Sequence, residues 1–396
     1  MIFMGPLFRR EQEEYLLNLS KTGLLNAGNT FQWGLIDGIC DNLEEGISII
    51  NVLPVGTWPN KFKKLVLKDN VWENREKHCY EAGCINLPFI KQFTRTRRVA
   101  KIIKKNFKNE TELLICTAYM PFLKAVHRLP EKYKITLIIT DLPEFSDMHC
   151  VSGLRRFLRN INNSLIKKYL KRVNRFVLLT EQMKYSLEVG DRPYTIVEGV
   201  CGYSSNPKLK SEIINDKIGI LYTGRLNYRY GIKTLLDAFC KINRDDIELW
   251  ICGSGEMENY ITSVSEKDKR VKFMGYKTHD EILKLQRKAE ILVNPRTNEG
   301  EYTKYSFPSK TMEYMASGTP VVMYKLDGVP NEYDEYLFYV ENNSVEALKN
   351  KLEYVCNLSP ECRKDFGEKA RQFVLNQKNS KVQGKRILDL ITDNIG

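Results

Sequence analysis

The stretch Ile218–Phe239, IGILYTGRLNYRYGIKTLLDAF, reads as a buried strand, a turn at Gly224, a loop, and a helix opening near Gly231. Its opening run is almost wholly apolar, as a strand covered on both faces must be. The same order recurs downstream. Residues 248–260, ELWICGSGEMENY, give a strand, a Gly-x-Gly turn and a helix. Residues 271–295 give strand, loop, helix and strand, and residues 299–324 give a loop, a helix and a final strand. Alternating strands and helices imply a parallel sheet with right-handed crossovers.

Working outward, the same reading assigns strands to Met1–Met4, Ser48–Leu53, Leu113–Thr117, Ile135–Thr140, Phe176–Thr180 and Tyr194–Val197. The second half adds Ile218–Thr223, Ile247–Cys252, Val271–Met274, Ile291–Asn294 and Pro320–Met323. These are too many for one doubly wound sheet. The polar stretch at about 200–216, punctuated by Gly, Pro and Ser, divides them. The expectation is an α/β chain of two Rossmann-like domains facing across a cleft, the first spanning 1–207 and joined by a C-terminal helix over 379–396, the second spanning 208–378.

Composition sets limits. The 396 residues are 42% hydrophobic and 11% aromatic, which excludes a disordered chain. The net charge of +12 is uneven: residues 1–200 carry 31 basic and 21 acidic side chains, or +10, against 30 and 28, or +2, for residues 201–396. The first half therefore prefers a negative partner. No apolar run approaches the ~20 residues of a spanning helix, and the opening MIFMGPLFRR is charged too early for a secretory signal. The expected location is the cytoplasm, with peripheral attachment to the inner membrane face. Ten dispersed cysteines fit a reducing compartment. His78, Cys79 and Cys84 match no zinc spacing, so no metal site is expected.

The segment Ser306–Val322, SFPSKTMEYMASGTPVV, carries the most chemistry. Ser309 reads as a helix N-cap after Pro308, and Gly318 ends the helix before the strand at Pro320. A helix N-terminus favours an anion. Lys310 opposes the helix dipole, so helix formation alone gives it no reason to be there. Glu313, one turn on, is placed to accept from a pair of ribose hydroxyls. An ordinary amphipathic helix with a surface Lys and Glu is the alternative.

In order, the Gly224–Leu226 Gly-Arg-Leu turn, the Gly253–Gly255 turn, the Val271–Gly275 segment and the Glu313–Val322 block resemble the donor domain of glycosyltransferase family 4. These are retaining enzymes of the two-Rossmann B-type (GT-B) fold. The Phe-Pro-Ser-Lys version is similar to enzymes building bacterial capsule, exopolysaccharide or O-antigen. The resemblance implies a nucleotide-sugar donor (UDP- or GDP-sugar), no cofactor, and a glycan or polyprenyl-diphosphate-linked acceptor. It gives Arg225 the diphosphate, with Lys310 as second cation. Met274, Gly275 and Tyr276 fall at the nucleobase edge, and the backbone N–H groups of Phe307 and Ser309 at the sugar or phosphate. Two departures stand out. The family's Lys is Tyr230 here, with Arg229 or Lys233 as substitutes if they are not simply surface charges. Its first Glu is Tyr305, leaving Glu299 or Glu301 to reach the sugar. Those departures keep open a catalytically reduced subunit that binds nucleotide sugar or a partner transferase.

Gly253 and Gly255 allow close backbone approach. The position of a third dinucleotide-fingerprint glycine is Glu258, which disfavours NAD. No Asp-x-Asp pair occurs, which agrees with a metal-independent transferase. The first half resembles the family more loosely. Gly28, in the Asn26–Asn29 stretch before a helix near Thr30, is the candidate donor loop. The family's His-Asp strand end is Thr140-Asp141, so Asp141 is the candidate group to polarise the acceptor hydroxyl, with Glu198 ranked lower. His127 and His149 read as structural.

Two stretches hold the positive charge. Residues 61–108 carry 14 Lys or Arg and 4 acids; residues 154–175 carry 8 and none, with apolar residues at helical spacing. An anionic membrane surface or lipid-linked acceptor suits them, the first stretch more so, with Trp58, Phe62, Trp72 and Phe93. A helix packing on the first sheet is the alternative for the second. No nucleic-acid motif accompanies the charge, so nucleic acid is not an expected partner.

Overall fold

The computed structural model describes residues 1–24, 26–142, 153–202 and 217–392. The chain forms two compact units. The first is Met1–Val200 with the C-terminal helix Ser380–Ile391; the second is Cys201–Asn379.

In the first unit the strands are β1 (Ile2–Gly5), β2 (Ser48–Asn51), β3 (Val66–Leu67), β4 (Asn70–Asn74), β5 (Lys77–Glu81), β6 (Cys84–Ile85), β7 (Glu112–Cys116), β8 (Lys134–Ile139), β9 (Arg175–Leu178) and β10 (Tyr194–Ile196). Eight form one sheet in the order β10-β9-β8-β7-β1-β2-β5-β4. It is parallel apart from the edge pair β4–β5. The strand order reverses at β1, which lies between β2 and β7. β3 and β6 pair separately and antiparallel. The C-terminal helix crosses the Asn26–Leu43 helix at Gly38 and Gly384. A Cβ on Gly38 would stand 1.8 Å from the Ser380 carbonyl oxygen, so only glycine lets these backbones meet.

The second unit holds β11 (Ile218–Arg225), β12 (Ile247–Ser254), β13 (Val271–Gly275), β14 (Ile291–Asn294), β15 (Val321–Tyr324) and β16 (Phe338–Val340), all parallel, in the order β13-β12-β11-β14-β15-β16. Alternate residues of β11 enter different cores. Ile220 and Tyr222 join the layer containing Leu235, Phe239 and Leu352, while Leu221 joins the layer containing Met312, Met315 and Val374. Two-sided burial explains the continuous apolar runs. The switch point is β11, between β12 and β14. Both units are thus Rossmann-like α/β layers.

Each expected strand exists, with ends displaced by a residue or two. Five further strands, β3 to β6 and β16, are not evident from the sequence pattern. The first four are short or half-exposed and lie in the basic 61–108 stretch, so charge masks their periodicity. That stretch hides two of its expected surface aromatics. Phe62 and Trp72 are buried, whereas Phe93 is half exposed. Of the basic helix, Leu154–Leu170, Ile166 and Leu170 face the core while Ile161 and Leu165 are exposed. Among the described residues no helix is long and apolar enough to cross a membrane. Cys79 and Cys84 belong to different core clusters, and His78 is exposed beside Glu73, so the three do not converge.

Candidate functional site

The carboxyl ends of β11 and β12 are locked together by glycines. Gly224 faces Gly253 across the strand pair. A Cβ on Gly253 would lie 1.7 Å from the Gly224 carbonyl oxygen, and one on Gly255 would lie 2.6 Å from that of Leu226. All three have positive φ (147°, 144° and 158°), a backbone region that disfavours other residues. A Cβ on Gly224 would lie 1.7 Å from Lys310 Nζ. The Gly-Arg-Leu and Gly-x-Gly turns are therefore one packing unit, and its open face receives the lysine.

Lys310 stands on the helix Ser309–Ala316, and its Nζ donates to the Thr223 carbonyl at 2.5 Å. One turn further, the buried Tyr314 hydroxyl donates to that same carbonyl at 3.2 Å and accepts from the Thr223 N–H at 2.9 Å. Lys310 and Tyr314 share a helix face. Together they fix the helix N-terminus to the carboxyl end of β11, at the switch point where open α/β sheets take their ligands.

The charges at this end are unbalanced. Burial pushes the Lys310 pKa down to about 8; the Glu313 carboxylate opposes the shift and the Arg225 charge reinforces it. Arg225 is exposed and makes no ion pair or side-chain hydrogen bond among the described residues. Two cations thus share a corner whose geometry suits a bound anion. Glu313, half buried, accepts from Gln286 Nε2 at 2.5 Å. Gln286 is fully buried and its backbone carbonyl accepts from the Thr319 hydroxyl at 2.8 Å, which holds the glutamine and through it the carboxylate.

Some expected residues take other positions. Ser309 is the first helical residue rather than the N-cap; Pro308 occupies the cap and offers no side-chain hydrogen bond. The helix-end N–H groups are left without that partner. The Phe307 ring is buried against Tyr333, so only its backbone can face a ligand. Tyr276 is 77% exposed after Gly275, which ends β13 at φ 65°. Met274 is half buried against the core. Tyr305 closes the short helical turn Glu301–Tyr305. The side chain of Glu301 lies outside the described set, and Glu299 is exposed. Lys233 pairs with Asp237 and Arg229 covers the Tyr230 ring, so both are committed on the surface. Gly231 keeps its place because a Cβ there would meet the Pro295 carbonyl at 1.9 Å.

Within the first unit Gly28 is helical, in the first turn of Asn26–Leu43, with open space where a Cβ would go. The loop expected there is a helix, because Asn26 starts the turn four residues earlier than Thr30. The glycine that geometry does demand is Gly5, at the end of β1, whose Cβ would stand 2.0 Å from Gln32 Oε1. Asp141 is exposed just past the end of β8; surrounding protein raises its pKa and a hydrogen bond from Thr140 opposes the rise. Glu198 is buried and accepts from Gln383 of the C-terminal helix at 3.4 Å, a structural duty. The His127 ring lies 4.8 Å from that of Tyr169. His149 is outside the described residues.

Thr223, Tyr314 and Gln286 belong to the site although sequence reasoning does not single them out. The i, i+4 spacing of Lys310 and Tyr314 is a usable signal. Nothing near Gln286 in sequence marks it, since its role arises only when the helix His279–Lys288 meets the helix bearing Glu313.

Two Rossmann-like units are the architecture of the GT-B glycosyltransferase fold. Residues 206–373 match the family described as glycosyl transferases group 1. An uncharacterized glycosyltransferase of Methanocaldococcus jannaschii is 34% identical over 119 residues, covering 29% of each chain. The amylovoran biosynthesis glycosyltransferase AmsK of Erwinia amylovora is 29% identical over 131 residues, 32% of each chain. These matches span only about a third of either relative. A solved E. coli structure, described as trehalose-6-phosphate bound with UDP-2-fluoro glucose, superposes with a TM-score of 0.66 at 11% identity, over 98% of this chain and 99% of that one. At that identity the likeness concerns the fold.

Proposed function

We propose that the protein is a retaining, metal-independent glycosyltransferase that moves a sugar from a nucleotide-sugar donor to a glycan or polyprenyl-diphosphate-linked glycan. The reading rests on one observation: Arg225, which makes no ion pair among the described residues, and the half-buried Lys310 share the carboxyl end of β11. A diphosphate leaving group needs that arrangement. Charge grows on its bridging oxygen as the glycosidic bond breaks, and fixed cations in a low-dielectric corner stabilise it most there. Glu313, held by Gln286, receives the ribose hydroxyls. Met274, Gly275 and Tyr276 border the base. The nucleotide in the E. coli neighbour supports a UDP-type donor, and the amylovoran relative supports a role in surface polysaccharide synthesis.

The acceptor belongs to the first unit. Asp141 is the group placed to polarise its hydroxyl. With no carboxylate assigned as nucleophile, front-face attack fits best, the leaving phosphate oxygen taking the acceptor proton. The first unit also carries an exposed apolar patch. Val66 and Ile85 face each other across β3 and β6 and are 53% and 38% exposed. Phe89, Ile90 and Phe93 stand beside them at the start of the Ile90–Asn106 helix, which has seven basic residues and no acidic one. That combination suits an anionic membrane surface. Thermal-shift screening against UDP- and GDP-sugars tests the donor assignment, since a true donor raises Tm with its concentration. Hydrolysis or transfer by the purified protein alone separates an enzyme from a binding subunit. No shift with any nucleotide sugar would overturn the proposal.

A further inference from the structure

The first sheet has its own switch point, at β1 between β2 and β7, and the loops leaving β2 and β7 there are tied by two buried cations. Arg95 donates through Nη2 to the Leu53 carbonyl at 2.6 Å and through Nη1 to the Tyr119 hydroxyl at 2.7 Å. Lys91, one turn earlier on the same helix, donates to the Val55 carbonyl. The exposures of Arg95 and Lys91 are 3% and 7%. Leu53 and Val55 follow β2, and Tyr119 follows β7, so the pair lies at the carboxyl edge where parallel sheets bind ligands.

No carboxylate accompanies these cations among the described residues. The partners of both are neutral, and Arg95 Nε is buried with no partner at all. Two like charges held out of water without a counter-ion are unfavourable by several kcal/mol in general. Burial lowers the Lys91 pKa to about 8, and the Arg95 charge adds to the lowering. The backbone carbonyls leave the net charge untouched. Tyr119 accepts from Arg95, so its own proton is available to a ligand.

We propose that Lys91, Arg95 and Tyr119 form an anion-binding site in the first unit that takes a phosphoryl group. A phosphate or diphosphate ester carries the double negative charge that two cations require; a single carboxylate does not. The site stands on residues of the first unit and is independent of the donor assignment in the second.

Calorimetric titration with inorganic pyrophosphate tests it, in the Arg225→Ala protein so that the donor corner is weakened and the first unit dominates the signal. Binding is expected there. Adding Lys91→Met should weaken it by about tenfold or more, with Tm in anion-free buffer unchanged or raised, because one of two repelling charges is gone. A lysine that only ties down Val55 would instead lower Tm and leave pyrophosphate affinity alone. Tyr119→Phe keeps both carbonyl contacts and removes only the hydroxyl; it should weaken binding about threefold, and it decides the matter if the lysine variant does not fold. Farnesyl diphosphate separates the sources. Binding tighter than pyrophosphate marks a lipid-linked ligand reaching the exposed Phe89, Ile90 and Phe93; equal binding marks a soluble phosphorylated one. Absent binding in Arg225→Ala, or binding indifferent to Lys91→Met and Tyr119→Phe, would sink the proposal.

Discussion

Each unit places a pair of cations at the switch point of its sheet, and the two pairs are built in opposite ways. In the second unit Arg225 is exposed and Lys310 half buried, both against glycine turns whose backbones pack too closely for any other residue. In the first, Lys91 and Arg95 are buried and held by backbone carbonyls of adjoining loops. The second unit's pair depends on tight backbone geometry, which demands particular residues at fixed spacing. The first unit's pair depends on where a helix lies, which many sequences satisfy. That difference governs both what mutation does and what sequence reveals.

The largest effect is expected where geometry is tightest. Gly253→Ala drives a methyl into the Gly224 carbonyl at a backbone angle other residues avoid. The cost should be about 3 kcal/mol or more, read as a fall in the denaturation midpoint. If the variant is as stable as its parent, the two turns do not pack as a single unit.

Next come the charges. Arg225→Ala should weaken donor binding about 100-fold, the worth of a strong charge-assisted contact. Glu313→Ala should weaken it somewhat less, about 30-fold, because ribose contacts are partly replaced by water. Arg225→Ala should change stability little, as Arg225 makes no side-chain hydrogen bond or ion pair among the described residues, whereas Glu313→Ala should also cost about 1–2 kcal/mol, because the buried Gln286 amide loses its acceptor. Wild-type affinity in both would remove the donor corner from consideration.

A smaller effect separates Lys310 from Arg225 by pH. A lysine whose pKa is lowered to about 8 is mostly neutral at pH 9, whereas an arginine stays charged. Donor affinity should fall about tenfold between about pH 7 and 9, and Lys310→Met should flatten that fall. Stability moves the other way. Between about pH 8 and the unfolded lysine pKa the unfolded chain holds the extra proton, so the fold gains stability as pH rises. Lys91 adds to the same trend. A donor affinity flat to about pH 9 would mean that Lys310 does not face the phosphates.

The contrast also explains which features a sequence discloses. β11, β12 and their glycine turns are legible because a strand buried on both faces must be apolar and a crossing of backbones must be glycine. Lys310 is legible because it has no helical reason to stand at a helix N-terminus. Lys91 and Arg95 are not, since they are two of seven basic residues on one helix and only packing selects which are buried. β4 and β5 are hidden likewise: their exposed and half-exposed positions carry Glu73, Lys77 and His78, and the apolar alternation is thin. Gln286 needs two helices to meet before its side chain has a purpose.

The smallest effect tests the glycines of the first unit against those of the second. Gly28 occupies the first turn of a helix with nothing within 4 Å of the place an alanine methyl would take, and its φ is ordinary. Alanine is the better helix former there, so Gly28→Ala should leave activity unchanged and stabilise the fold by about 0.5 kcal/mol. Gly5→Ala at the end of β1 should do the reverse, because its methyl would displace the buried Gln32 carboxamide. If Gly28→Ala instead abolished donor turnover while leaving the denaturation midpoint intact, the backbone there would approach the ligand after all.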